Sequence, residues 1–262
     1  MSTSTLALPD LDWTELGHRL DEDGVAVTPP LLSADECAEV VAMFDEDDLF
    51  RSTVVMARHA FGEGSYRYFT DPLPPIVQTL RTQLYPPIAR LANAWAARLG
   101  EPTYPDTLDG LLDRCARAGQ TKPTPLVLRY GPGGYNCLHQ DVYGDLTFPL
   151  QFLVMLSRPD VDFTGGESVF VEQRPRQQSR PVVLRPALGQ AVISPCTTAR
   201  AAAPAATTGC RCGMASARST AAAGTCWGSS STTPPDPGNV RRPTWWLVVG
   251  RPYLARPCGD AA

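Results

Sequence analysis

His139 and Asp141 stand two residues apart in the stretch NCLHQDVYGD, residues 136–145. In an extended strand alternate side chains point to the same face, so this spacing lets an imidazole and a carboxylate grip one metal ion together. Two ligands do not complete a catalytic metal site. The other histidines, His18 and His59, both precede His139, and none follows it. Taken alone, a His-x-Asp pair is also what a surface turn or a hydrogen-bonded core histidine produces.

The pair needs a rigid β framework, and the sequence supplies one. From Pro125 the runs PLVLRYG, YNCLHQD, FPLQFLVMLS, ESVFVEQ, RPVVLRP and GQAVISP are short and β-prone, separated by Gly, Pro, Asp and Ser. That pattern predicts an all-β sandwich or barrel. Upstream, Leu11, Trp13, Leu16 and Leu20 share one helical face that ends at Gly24, and VAVT reads as a brief strand. Ser33 and Glu36 form a capping-box signature that predicts a helix over about 34–45. RSTVVMA and SYRYF read as strands around a glycine-containing loop. Ile76 to Leu99 is helical in spacing, broken or kinked at Pro86 and Pro87, and LLDRCARAG adds a short helix. The expected fold class is α+β, with helices from residues 1–120 packed on a β core over 121–195.

The 262 residues, 43% hydrophobic, suffice for one main domain with a substantial core. A formal net charge of −4 and the lack of a basic stripe argue against a nucleic-acid partner, and no apolar run is long enough to span a membrane. The opening MSTSTLALPDLDW lacks a charged, apolar secretory leader, so a cytoplasmic location without disulfides is the expectation.

Residues 130–167 carry a further constellation: Tyr130, Gly133 and Tyr135 before the His-x-Asp pair, and the Gly165-Gly166-Glu167 turn about 25 residues after it. Together these resemble the 2-oxoglutarate- and Fe(II)-dependent dioxygenases, most closely the prolyl-4-hydroxylase-like branch, over roughly residues 20–195. The resemblance implies a double-stranded β-helix, or jelly roll, with iron between its sheets and His139 and Asp141 as two of its three protein ligands. It also implies Tyr130 beside the cosubstrate 2-oxoglutarate, ascorbate keeping the iron reduced, and a small-molecule or peptidyl substrate hydroxylated with dioxygen. Relatives take a distal histidine as third ligand and, about ten residues on, an arginine that pairs with the far carboxylate of the cosubstrate.

Neither follows in this chain. Residues 196–262 are an Ala-, Thr-, Ser-, Arg- and Gly-rich tail without helical or strand period, expected to be disordered, in which only TWWLVVGRPYL looks able to pack. A single lysine, Lys122, beside 22 arginines suggests a GC-rich gene, and the tail reads as translated out of frame from about Cys196. Codons rebuilt across residue junctions force Gly at Met214/Ala215, Leu at Cys226/Trp227 and Gly at Trp227/Gly228. They permit a histidine at Gly213/Met214 and an arginine ten positions later at Ala223/Gly224. On this reading the last core strands are missing and the chain is an impaired oxygenase. The alternatives are a non-catalytic jelly-roll binding module or pseudoenzyme, and a zinc site from Cys196, Cys210, Cys212 and Cys226, whose spacing fits tetrahedral zinc poorly.

Overall fold

The computed structural model describes residues 6, 8–139, 146–172, 176, 178–196, 200–201, 208–209, 214–216 and 243–249, those between 200 and 216 by backbone alone. Helix α1 (Trp13–Asp23) starts where the Asp12 carboxylate accepts the backbone N–H groups of Thr14 and Glu15, and stops at Gly24 with φ +74°. Helix α2 (Ala34–Ala42) carries the expected capping box in full. The Glu36 carboxylate accepts the Ser33 N–H at 2.8 Å and the Ser33 hydroxyl accepts the Glu36 N–H at 3.3 Å. Its last expected turn, to Asp45, is a 3-10 turn.

Helix α3 (Pro75–Leu99) runs through Pro86 and Pro87 without a break, which corrects the expectation of an interruption there. An interior proline costs about 3 kcal/mol through its missing N–H. The same helix buries Val77, Leu80, Leu84, Ile88 and Ala92, each side chain contributing up to about 1.5–3 kcal/mol, so packing outweighs the local penalty. Helix α4 (Leu108–Arg117) completes the helical layer.

Fourteen strands are described: β1 (Ala26–Pro30), β2 (Phe50–Val55), β3 (Gly62–Glu63), β4 (Ser65–Phe69), β5 (Leu126–Tyr130), β6 (Tyr135–Asn136), β7 (Leu150–Met155), β8 (Ser168–Glu172), β9 (Arg180–Leu184), β10 (Gln190–Pro195), β11 (Arg200–Ala201), β12 (Thr208–Gly209), β13 (Met214–Ser216) and β14 (Thr244–Val249). The main sheet has the order β1-β10-β7-β14-β5-β4-β2, and a second has β13-β8-β9, with β13 lying against β6. From β5 onward the chain passes back and forth between these two layers: β5 main, β6 paired with β3 and lying against β13 of the second, β7 main, β8 and β9 second, β10 main, β13 second, β14 main. Antiparallel strands alternating so between two facing sheets make a jelly roll.

Strand β14 corrects one part of the sequence reading. The last core strands were expected to be absent, yet Thr244–Val249 occupies the middle of the main sheet, paired with β5 on one side and β7 on the other. It comes from the one tail segment read as able to pack, and the reason is visible in TWWLVV, where Leu247, Val248 and Val249 are fully buried. A central strand buried on both faces needs a continuous apolar run, and the rest of the tail offers none.

The main sheet separates two cores. Its outer face, with Val127, Phe152, Val154, Ile193 and Leu247, packs against the helices. Its inner face, with Leu128, Tyr130, Leu153, Met155, Trp246 and Val248, looks into the jelly roll. Residues alternate between the two along each strand, as the pleat requires.

Candidate active site

Between the sheets lies a narrow cleft with a cavity of about 20 Å³, lined by Leu128, Tyr130, Asn136, Ser168, Phe170 and Trp246 among others. Tyr130 ends β5, is 5% exposed, and belongs to the inner face. Asn136 and Ser168 were not singled out from sequence. Both are buried, at 8% and 3% exposure, and bring an amide and a hydroxyl into an otherwise apolar, aromatic space. Few polar groups converging in an apolar cleft is how small-molecule sites are built. A signal was present for each: Asn136 opens the same stretch as His139, and Ser168 follows the Gly-Gly-Glu turn directly.

That turn is built as its composition demands. Gly165 and Gly166 both take positive φ, +77° and +72°, and a Cβ on Gly166 would fall 2.6 Å from the Phe163 ring. Glu167 then lies 3.8 Å from the Arg185 guanidinium, and β8 begins at Ser168 inside the cleft.

His139 lies three residues beyond Asn136 and is half-buried. Its Nδ1 is 2.8 Å from the carbonyl oxygen of Cys137. A carbonyl only accepts, so Nδ1 carries the proton and the lone pair of the neutral ring is left on Nε2. Metal-binding histidines are commonly oriented by such a bond from the other ring nitrogen. Asp141 lies outside the described residues, as does Asp145. Among the described residues no three His, Cys, Asp or Glu side chains come together as a metal cluster. An imidazole suits a transition metal, and of the two donors expected from sequence only His139 is among the described residues.

The remaining histidines are placed clearly. His18 is exposed on α1, 3.4 Å from Glu22 one turn on. His59 ends a 3-10 turn over Met56–His59 that leads into β3. Strand β3 pairs with β6, Gly62 opposite Asn136 and Glu63 opposite Tyr135, and the Cys137 N–H donates to the Phe61 carbonyl at 2.8 Å. The turn that ends in His59 therefore leads into the strand paired with β6, three residues before Gly62.

Backbone strand β13 is paired with β8, Met214 opposite Phe170 and Ser216 opposite Ser168. Of the four cysteines weighed as zinc ligands, Cys196 is buried and in no disulfide, and Cys210, Cys212 and Cys226 lie outside the described residues. No helix among the described residues is long and apolar enough to cross a membrane.

Known proteins share parts of this sequence and this fold. Residues 64–226, more than half of the chain, match the family described as oxygenase, catalysing oxidative methylation of damaged DNA. The chain belongs to that oxygenase family. The match runs across residue 196, where the composition changes. The uncharacterized protein Rv2227 of Mycobacterium tuberculosis is 50% identical over 113 residues, 43% of this chain and 48% of that protein, so the chain spans about half the length of the curated relatives it matches. Among solved structures, a Pseudomonas putida prolyl-4-hydroxylase aligns over 94% of this chain and all of its own at 12% identity and a TM-score of 0.48. An oxidoreductase of the 2OG-Fe(II) oxygenase family from Burkholderia pseudomallei aligns over 95% of this chain and 93% of its own at 14% identity and the same TM-score.

Proposed function

We propose that the cleft is the site of a 2-oxoglutarate- and Fe(II)-dependent oxygenase of hydroxylase type, with His139 and Asp141 as metal ligands and Tyr130 beside the cosubstrate. The observation that carries this reading is the bond from His139 Nδ1 to the Cys137 carbonyl, which orients the ring as in metal-binding histidines, three residues beyond Asn136 of the cleft lining. Iron with 2-oxoglutarate, when bound, supplies the oxidising chemistry that hydroxylates a substrate and releases succinate and carbon dioxide, with ascorbate as a reductant. The chain's own residues bind and orient: the Tyr130 hydroxyl, Asn136 amide and Ser168 hydroxyl offer polar contacts, and Phe170 and Trp246 keep the cleft dry.

The same reading holds this chain to be impaired. No histidine follows His139, so the distal ligand and the arginine that would follow it are taken to be lost to a frame change near Cys196. A two-ligand iron site binds weakly, and a cosubstrate carboxylate without its cationic partner binds weakly too. A non-catalytic jelly-roll module is the alternative.

For the substrate, the resemblance suggests a small molecule or peptide, whereas the family's description names damaged DNA. We favour a nucleic-acid base. The absence of a basic stripe speaks to the gripping of a long backbone and does not govern recognition of a single extruded base.

The test is an anaerobic calorimetric titration with Fe(II), with and without 2-oxoglutarate, of the present chain and of a chain with the reading frame restored from about residue 196, the latter also as His139→Ala. Metal binding by the restored chain that 2-oxoglutarate strengthens and His139→Ala removes supports the oxygenase reading. Retention of zinc by the present chain points to its cysteines, and binding of neither metal nor 2-oxoglutarate by the restored chain favours the non-catalytic module.

A further inference from the structure

We propose that the exposed His59–Phe61 pair is a stacking platform for the substrate's base, set beside the His139 site, with Arg58 toward the adjoining phosphate. The inference rests on the oxygenase reading with a nucleic-acid base as substrate, and adds the residues that hold that base.

The two rings are stacked, centroids 5.3 Å apart and planes 25° from parallel. Phe61 is nevertheless 37% exposed, and His59 and Arg58 are exposed as well. Leu138, 56% exposed, adds apolar surface one residue from His139. A lone exposed Phe needs no explanation, but an aromatic pair continued by an exposed leucine and flanked by a cation is the composition of a single-strand binding surface.

The pair is held rigidly. The Phe61 N–H donates to the Met56 carbonyl at 3.2 Å, and the Phe61 carbonyl accepts the Cys137 N–H. The Cys137 thiol lies 3.7 Å from the Ala60 carbonyl. Ala60, between the two rings, is held at φ +57°, a left-handed conformation that a non-glycine residue rarely keeps without surrounding support. The β3–β6 pairing ends at Gly62 opposite Asn136, and the Phe61 carbonyl continues it by one bond to the Cys137 N–H, two residues before His139. The platform and the proposed metal ligand thus stand on adjoining backbone segments tied by hydrogen bonds.

A base fits this surface better than an aliphatic or acidic group does. It has a flat face for the rings, and its phosphate complements Arg58, with Glu63 the one nearby carboxylate in the segment. Stacking on aromatic side chains is worth about 1–3 kcal/mol per base, so loss of one ring weakens binding roughly 5- to 150-fold.

The test is fluorescence anisotropy of a labelled single-stranded DNA oligonucleotide with the metal-free full chain. Phe61→Ala, Phe61→Leu, His59→Ala and Arg58→Ala are compared, each checked for an unchanged melting temperature. An oligonucleotide with abasic sites and a tyrosine-containing peptide of equal length serve as competitors. The expected result is binding that Phe61→Ala and Phe61→Leu both weaken roughly tenfold, that the abasic competitor disturbs little, and whose salt dependence falls in Arg58→Ala. No binding by the unmodified chain, full binding by Phe61→Leu, or equal competition by the peptide would overturn the proposal. Failure of the oxygenase reading shows instead in the iron titration, which this binding experiment does not use.

Discussion

Leu247 of β14 stands in register opposite Val154 of β7, and both are fully buried. The two lie on the sheet face that packs against the helices, so the last described strand of the chain is part of the central core. Leu247→Ala is expected to lower stability by about 2–5 kcal/mol, the range for deleting a fully packed leucine. Urea unfolding measures it. A loss below about 0.5 kcal/mol would show that β14 is not seated between β5 and β7.

Gly62 has φ +130°, and a Cβ there would collide with the Tyr135 carbonyl oxygen. Gly62→Ala should therefore cost about 1–3 kcal/mol. It should also pull β3 from β6, loosening the segment that leads to His139. Amide hydrogen exchange at Cys137, whose N–H is bonded to Phe61, is the local readout, and faster exchange is expected there than at β7.

The cysteines should differ sharply in reactivity. Cys137 is exposed, whereas Cys37, Cys115 and Cys196 are buried. Burial also raises the Cys37 thiol to about 12, with Glu36 adding to the effect, so almost no thiolate exists there at neutral pH. Alkylation of the folded chain followed by peptide mapping should find Cys137 modified first and the other three protected.

The same thiol makes the fold sensitive to alkali. Its pKa is raised above the ordinary 9.0, so the native state holds the proton more tightly than the unfolded chain does. The contribution is complete below pH 9 and is lost as pH climbs from 9 toward 12. Tyr85, also pushed up by burial, acts in the same direction. Urea midpoints should hold steady from pH 7 to 9 and fall above it, and Cys37→Ala should flatten part of that fall.

Much of the framework was legible because it rests on local chemistry and period. The Ser33/Glu36 cap, the Gly24 stop and the alternating runs of β5, β7 and β10 each state their own structure. The uninterrupted α3 was not legible, since what overrides Pro86 and Pro87 is burial of Leu80, Leu84 and Ile88 against a sheet formed far along the chain. The sequence placed Tyr130 on a strand, and its position on the inner face shows only in the sheet. Asn136 and Ser168 did not stand out, because an isolated amide or hydroxyl in a β run says nothing until the second sheet faces it. His59 was set aside on chain order, and only the pairing of β3 with β6 shows that its turn leads into a strand lying against the segment before His139.

The account depends most on His139 being a metal ligand, and the direct measurement is calorimetric binding of Fe(II) with 2-oxoglutarate under anaerobic conditions. Three chains are compared: the present one, one with the reading frame restored from about residue 196, and that restored chain carrying His139→Ala. The expected result is one iron per restored chain, much weaker binding by the present chain, and none after His139→Ala. A restored chain that binds no iron, or a His139→Ala variant that binds it undiminished, would contradict the account.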